Sequence, residues 1–410
     1  MRTPRWRELV ETVTLPAAAA ELAVRLLRPR PPAPKAAPAD LHAHFSSQEI
    51  ERGARFARPQ LGLAAGAGIV QLAVLAVATR RPPRALRRWR SRPLLGSATA
   101  AASLVVATRV CSLPISAVAR KRALAAGLAT QSWRGWAADV VKGTAIEVTF
   151  AGAGGLVVTA AARRYPRGWW LLAAGGSVAF GALLALLSPI ALDPIFNKFE
   201  PLPEADTRSD VLELAAAAGI AVGEVFAVDA SRRTSAANAY VTGLGPTKRV
   251  VLFDTLLDRY GRDEIRVVVA HELAHVRHRD VQRGIAYAAI VAGPTALATY
   301  RLSGLLSEES GTPAALPALG LAAALASAPV ALVGGRLSRA IERRADFYSL
   351  QLTRAPDAFI SFDRRIALQN LADLAPPRWL QVLLGSHPST LERIGAAEAF
   401  AASSAPAPAG

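Results

Sequence analysis

Residues 169–192 read WWLLAAGGSVAFGALLALLSPIAL, a run without a single charge. A helix rises 1.5 Å per residue, so about 20 mainly apolar residues span the hydrocarbon core of a bilayer. This run is long enough, and Trp169 and Trp170 open it as interfacial anchors. Working outward, residues 61–79 carry no charge, 94–119 carry only Arg109, and 143–162 carry only Glu147. Two further apolar runs follow a long polar stretch: 284–300, with Pro294 inside, and 314–335, with Pro317 and Pro329. Six crossings result. A further stretch, residues 9–28, is interrupted by Glu11, Glu21 and Arg25. Charges that deep cost about 3 kcal/mol each on insertion, so it reads as an interfacial helix. Its apolar core is also too broken for a cleavable signal peptide.

The composition agrees with a membrane body. Of 410 residues, 52% are hydrophobic and only 19% charged, and the mean hydropathy is +0.26. Soluble domains carry about a quarter charged residues, and disorder requires low hydrophobicity, so both classes are poor fits for most of the chain. The single cysteine, Cys111, excludes an internal disulfide framework and a cysteine-rich metal cage. A net charge of +17 would point to nucleic acid in a soluble protein. Here the arginines lie beside apolar runs on both membrane faces, so they read as membrane flanks and no nucleic-acid partner is expected.

The loop 303–313 lacks Lys and Arg and holds Glu308 and Glu309, which places it outside. That parity puts 193–283 and 336–410 in the cytoplasm, in keeping with Arg336, Arg339, Arg343 and Arg344. The expectation is a multi-pass protein of the plasma membrane with membrane lipid around it and its soluble part facing the cytoplasm. The same parity places residues 80–93 outside although they hold seven arginines, from Arg80 to Arg92, against the positive-inside tendency.

Six segments follow: 1–60, the interfacial helix and a Pro/Ala linker (PRPPAPKAAPAD, 29–40); 61–192, four membrane helices; 193–283, a soluble insert; 284–335, two membrane helices; 336–400, a second soluble part; and 401–410, a disordered small-residue tail. In the insert, 207–218 reads as a helix stopped by Gly219, 224–229 as a strand, and 238–253 as a hairpin turning at Gly243–Thr247. From Asp263, a plausible N-cap, a helix runs through DEIRVVVAHELAHVRHRD (263–280).

That helix carries His271-Glu272-Leu273-Ala274-His275. Residues four apart share a helical face, so both imidazoles point at one ion. Zinc accepts imidazole nitrogen and keeps a position open for water, and Glu272 sits on the adjoining flank, where it takes a proton from that water. A solvated surface helix is the plainer alternative, weakened by the uncharged runs Val267–Ala270 and Leu273–Ala274. Two ligands leave the site incomplete. Glu342, in Ile341-Glu-Arg-Arg-Ala-Asp346, is the best third, returned to the same side by two crossings. A salt bridge to Arg339 or Arg343 accounts for Glu342 equally well, and His278 competes as ligand. Asp346, four residues on, is placed to accept the second ring N–H of a ligand histidine.

HELAH followed two spans later by ExxAD resembles the M48 family of integral-membrane zinc metalloproteases, most closely its CAAX-prenyl-protease branch. Asp193-Pro-Ile-Phe-Asn-Lys-Phe-Glu-Pro-Leu202, Asn238-Ala-Tyr240, Lys248–Leu257, Ser386-His-Pro388 and Leu391-Glu-Arg393 resemble that branch's signatures in order. The resemblance implies a mainly α fold: a polytopic transmembrane helix bundle with a zincin-like cytoplasmic catalytic domain containing a small β-hairpin or sheet. It implies Zn2+ on His271, His275 and Glu342, Glu272 as general base, Asp346 behind the ligands, His387 beside the oxyanion and Asn238 facing substrate. Tyr240 and Arg393 are further substrate-side candidates, Arg393 also as a buttress of the acidic shell. Arg343-Arg344 departs from the branch, which commonly has an aromatic and a neutral or acidic residue there. The expected activity is zinc-dependent hydrolysis of peptide bonds in membrane-associated or C-terminal, CAAX-like or lipid-modified polypeptides. Its rivals are a heat-shock-type M48 quality-control protease and a non-catalytic zinc-dependent membrane sensor or scaffold.

Overall fold

The computed structural model describes residues 6–84, 86, 89–243 and 248–404. The chain opens with helix α1 (Trp6–Leu27). Three long helices follow, α2 (Ser47–Arg80), α3 (Pro93–Ala125) and α4 (Trp133–Arg164). Helix α5 (Trp169–Leu187) continues through a π turn at Ser188–Leu192, where Pro189 removes a backbone donor. The soluble insert holds α6 (Asp206–Ala217) and α7 (Arg262–Arg277). After it come α8 (Asp280–Leu306), α9 (Leu316–Thr353), α10 (Pro356–Gln369), α11 (Arg378–Leu384) and α12 (Thr390–Ser404). The molecule is a polytopic helical bundle with a small sheet in its soluble insert.

Among the described residues five helices are long and apolar enough to cross a membrane: Ser47–Arg80, Pro93–Ala125, Trp133–Arg164, Trp169–Phe196 and Pro313–Thr353. The expected fifth crossing, 284–300, lies in α8 and is not among them. The reason is its surroundings. Helix α8 is flanked by α1, α5 and α9, so protein takes the place of lipid along much of its length and its small and hydroxyl residues are tolerated. Helix α1 packs Ala20 and Ala23 against Tyr287, Val291 and Val330 of α8 and α9. Two of its disruptive charges pair with each other, Glu21 with Arg25 at 2.8 Å, and Glu21 also meets Arg336.

The two charges inside apolar runs meet. Arg109 of α3 and Glu147 of α4 form an ion pair at 2.5 Å. An unpaired charge at this depth costs about 3 kcal/mol. Arg109→Glu or Glu147→Arg alone should therefore lower the thermal midpoint of the detergent-solubilised protein by several degrees, and the double reversal should restore it. A double variant as unstable as either single one would show that the pair does not hold the helices.

Four strands form one sheet in the order β1 (Phe199–Pro201), β2 (Glu224–Val228), β4 (Arg249–Phe253), β3 (Ala239–Thr242). β1 runs antiparallel to β2, β2 parallel to β4, and β3 antiparallel to β4 with Tyr240 opposite Val251. The expected strands and hairpin pairing are present; turn residues 244–247 lie outside the described residues. Gly219 has φ +69° and ends α6 as expected, because only glycine takes that conformation without a Cβ clash.

Helix α7 is held from both sides. Ile265, Val268, Val269 and Leu273 join Val225, Val250 and Leu252 of the sheet and Leu214 of α6. Val267 instead meets Leu350, Phe359 and Phe400. Its N-cap is Gly261 rather than Asp263: Glu264 accepts from the Gly261 N–H at 2.8 Å, closing the first turn. The Pro/Ala segment lies across α12, with the Ala37 N–H donating to Gly395 O at 2.9 Å. A Cβ on Gly395 would sit 2.1 Å from Ala37 O, so glycine is what permits this approach. The expected tail is helical through Ser404, and residues 405–410 lie outside the described residues.

Candidate metal centre

Helical spacing puts His271 and His275 on one face of α7, and α9 brings Glu342 to them. The two Nε2 atoms are 3.2 Å apart, and Glu342 Oε2 and Oε1 lie 3.3 Å and 3.7 Å from the Nε2 atoms of His271 and His275. One ligand atom from each residue falls within 4.8 Å of the others. Ligands about 2.1 Å from a tetrahedral zinc are ~3.4 Å from one another, so the spacing fits such an ion. Two imidazoles and a carboxylate are also a donor set that zinc accepts in catalytic sites.

The rest of each ring supports the same reading. His271 Nδ1 is 2.9 Å from Asp346 Oδ1, although at an angle poor for a straight hydrogen bond. His275 Nδ1 is 3.1 Å from Asp280 Oδ2. A carboxylate at each Nδ1 keeps the proton there and turns the Nε2 lone pair toward the shared point. Asp280 reaches His275 because Arg279 takes a left-handed conformation, φ 55°, which folds α8 back at the end of α7. Arg283 and Arg344 both pair with Asp280.

The cluster attracts positive charge. Burial opposes an imidazolium at His271, but Asp346 and Glu342 outweigh it and push the group up to about 10. Burial likewise works against the Asp346 charge, yet the Arg393 guanidinium and His271 hold its carboxyl well below the usual range. Arg393 forks onto Asp346 at 2.7 Å and 3.0 Å and reaches Asp363 Oδ1 at 2.6 Å. Burial, with Asp346 close by, pushes Asp363 up to about 7 although Arg393 opposes the shift. The Arg343-Arg344 departure is matched by local partners, Glu392 for Arg343 and Asp280 for Arg344. Arg339 donates to the carbonyls of Gln381, Val382 and Gly385 at the end of α11. Neither Arg339 nor Arg343 is ion-paired with Glu342, and the surface salt-bridge alternative for that residue falls away.

A cavity of about 430 Å³ opens beside the cluster, lined by Asn238, His271, Glu272, Glu342 and His387 among others. Burial pushes the Glu272 carboxyl up from its ordinary value. His387 Nε2 lies 3.6 Å from Glu342 Oε2, with its side chain 64% exposed. Arg393 also reaches the cavity wall, but its guanidinium is taken by the two aspartates. Tyr240 is not among the lining residues; its hydroxyl is 3.4 Å from Asp193 Oδ2, and burial pushes it up to about 12. His278 turns away and stands edge-on to Tyr348 at 5.5 Å between centroids.

Two acids of the site are absent from the sequence reading. Asp280 stands five residues after His275, but nothing in the local pattern marks the left-handed residue that returns it. Asp363 had a usable signal, since it occupies the apolar face of α10 with Phe359, Phe362 and Ala367, all buried.

Comparison with known proteins gives three findings. Residues 201–401 match the family model of peptidase family M48, and residues 33–198 match that of the CAAX prenyl protease N-terminal region with five membrane helices. An uncharacterized metalloprotease of Bacillus subtilis, YhfN, is 33% identical over 304 residues, covering 72% of this chain and 71% of its own. CAAX prenyl protease 1 of Saccharomyces cerevisiae is 43% identical over 94 residues, 23% of this chain and 21% of the yeast protein. Among solved structures, S. mikatae Ste24p superposes with a TM-score of 0.77 over 97% of this chain and 100% of that one, at 19% identity, a likeness of fold.

Proposed function

The chain belongs to peptidase family M48 as an integral-membrane metalloendopeptidase, and on that premise we propose that His271, His275 and Glu342 hold zinc while Glu272 acts as the general base. The observation that carries this reading is the convergence of three donor atoms at zinc-ligand spacing beside a cavity that His271, Glu342 and Glu272 line. When bound, zinc supplies Lewis acidity that polarises a scissile carbonyl and acidifies water.

The remaining chemistry falls to the side chains. Asp346 and Asp280 fix the two imidazoles in the tautomer whose Nε2 atoms face the ion. Glu272, with its carboxyl raised by burial, takes a proton from the attacking water and returns it to the leaving amine. His387 hangs over the cavity mouth and donates to the developing oxyanion. Arg393 acts as a positioning residue through Asp346, with no direct hold on substrate. β3 is an edge strand, bonded to β4 on one side. An extended polypeptide adds to its open side through backbone hydrogen bonds, and Asn238 at the head of that strand faces it.

The names of the yeast relative and of the matched N-terminal model support a substrate with a lipid-modified, CAAX-like C-terminus. That N-terminal match also disfavours the heat-shock-type alternative, and the intact Glu272 disfavours a non-catalytic scaffold. The arginines at 336, 339, 343 and 344 support a cytoplasmic site in the plasma membrane.

Protein purified by gentle extraction should hold one zinc per chain by elemental mass spectrometry. It should cleave a C-terminally prenylated reporter peptide faster than the unmodified one, lose that activity to a chelator and regain it with zinc. Metal-free protein after gentle extraction would overturn the site assignment. Equal rates on the two peptides would overturn only the lipid-modified substrate.

A further inference from the structure

Arg92, the last of the seven arginines that the positive-inside tendency does not explain, lines a cleft at the end of the bundle remote from the catalytic cavity. Gly96, near the start of α3, lies against Pro313, and Gly311 lies against Arg163 at the end of α4, so these helix ends share one level. From Leu316 at that level, α9 runs 26 residues to Glu342, about 39 Å at 1.5 Å per residue. The two ends therefore lie on opposite sides of a bilayer.

Between α3 and α4 at this end is an open cleft of about 630 Å³ walled by Arg92, Arg163 and Arg164 and floored by Pro93, Leu94 and Leu95. None of the three guanidinium groups is ion-paired with a carboxylate among the described residues. Leu94 and Leu95 are 38% and 55% exposed, below the arginines toward the hydrocarbon side. Tyr165, half exposed, lies under the Arg164 guanidinium at 4.9 Å, the position of an interfacial aromatic. We propose that this cleft is a binding site for an anionic phospholipid, with the phosphate on Arg92, Arg163 and Arg164 and the first acyl carbons on Leu94 and Leu95.

Three features favour a lipid over a soluble anion. The cleft sits at the ends of two membrane helices, where headgroups are; its charge is one-signed; and its floor is apolar and open. Basic pockets between membrane helices hold anionic headgroups by this combination. The occupant also balances Arg92, one of the seven loop arginines on the side where they are usually scarce, together with Arg163 and Arg164.

Native mass spectrometry of the full-length protein, titrated with phosphatidylglycerol or phosphatidylcholine, tests this. Wild type should retain phosphatidylglycerol preferentially. R92Q/R163Q/R164Q should bind it on the order of 100-fold more weakly, and each single variant about 5-fold more weakly, while phosphatidylcholine binding stays the same. Should the triple variant fail to fold, the singles carry the test, with zinc content and peptide cleavage at wild-type values confirming that each is intact. Equal retention by wild type and variants, or equal affinity for both lipids in wild type, overturns the site. Displacement of phosphatidylglycerol by equimolar glycerol phosphate would show a site that reads phosphate alone and overturns the lipid assignment.

Discussion

Glu272→Gln should leave the zinc in place and slow peptide cleavage on the order of 10³-fold. The amide keeps the shape of the carboxyl but cannot take a proton from water. Glu272 is not one of the three clustered donors, so metal content should match wild type. The side chain is half-buried and unpaired charge there is a cost, since burial raises its carboxyl. Neutralising it should therefore leave thermal stability unchanged or slightly higher. Single-turnover cleavage, zinc stoichiometry and the thermal midpoint separate the outcomes. Wild-type turnover would show that another group is the base. Loss of zinc together with activity would make Glu272 a ligand. A fall in kcat with KM unchanged is the result expected of a group that acts in the transition state. Glu342→Ala serves as the contrast, because it should lose the ion itself.

What the sequence made legible and what it hid follow from range. His271 and His275 are joined by helical geometry alone, so their meeting at 3.2 Å was readable from a spacing of four. Glu342 is 67 positions beyond His275, yet two apolar runs of even parity told which side of the membrane it returns to. Hairpin and helix stop were likewise local, the latter written in Gly219. The parallel pairing of β2 with β4 was not, because parallel strands are joined through elements whose return path the local pattern does not fix. The surroundings of helix α8 were unreadable for a related reason. An apolar run declares that a helix avoids water, but whether lipid or α1, α5 and α9 surround it is a tertiary fact. Asp280 was hidden by one residue's backbone, since only the left-handed Arg279 brings it back to His275.

Arg393→Met should be the most destabilising substitution near the site, at about 4 kcal/mol. One guanidinium, itself 19% exposed, lies between Asp346 and Asp363, and both carboxylates are almost inaccessible to water. Removing it leaves Asp346 with His271 alone as its cation and drives Asp363 to take up a proton, and a buried charge that loses its partner is worth several kcal/mol. Asp346 would then hold His271 less firmly, so zinc affinity should fall with stability. Arg393→Lys should recover only part of the loss, because an ammonium cannot fork onto Asp346 while reaching Asp363. Arg393→Met with Asp363→Asn should be more stable than Arg393→Met alone, because the amide is neutral without having to take up the proton that a buried Asp363 then needs. The pH dependence gives a separate readout. Asp363 has a native pKa of about 7 against about 4 unfolded, so the native state holds the extra proton between those values and stability falls as pH rises from about 4 to about 7. Asp363→Asn should flatten the stability curve in that window. An Arg393→Met protein with wild-type midpoint and zinc content but a raised KM would assign the arginine to substrate binding and overturn its role as the counter-ion of the buried acids.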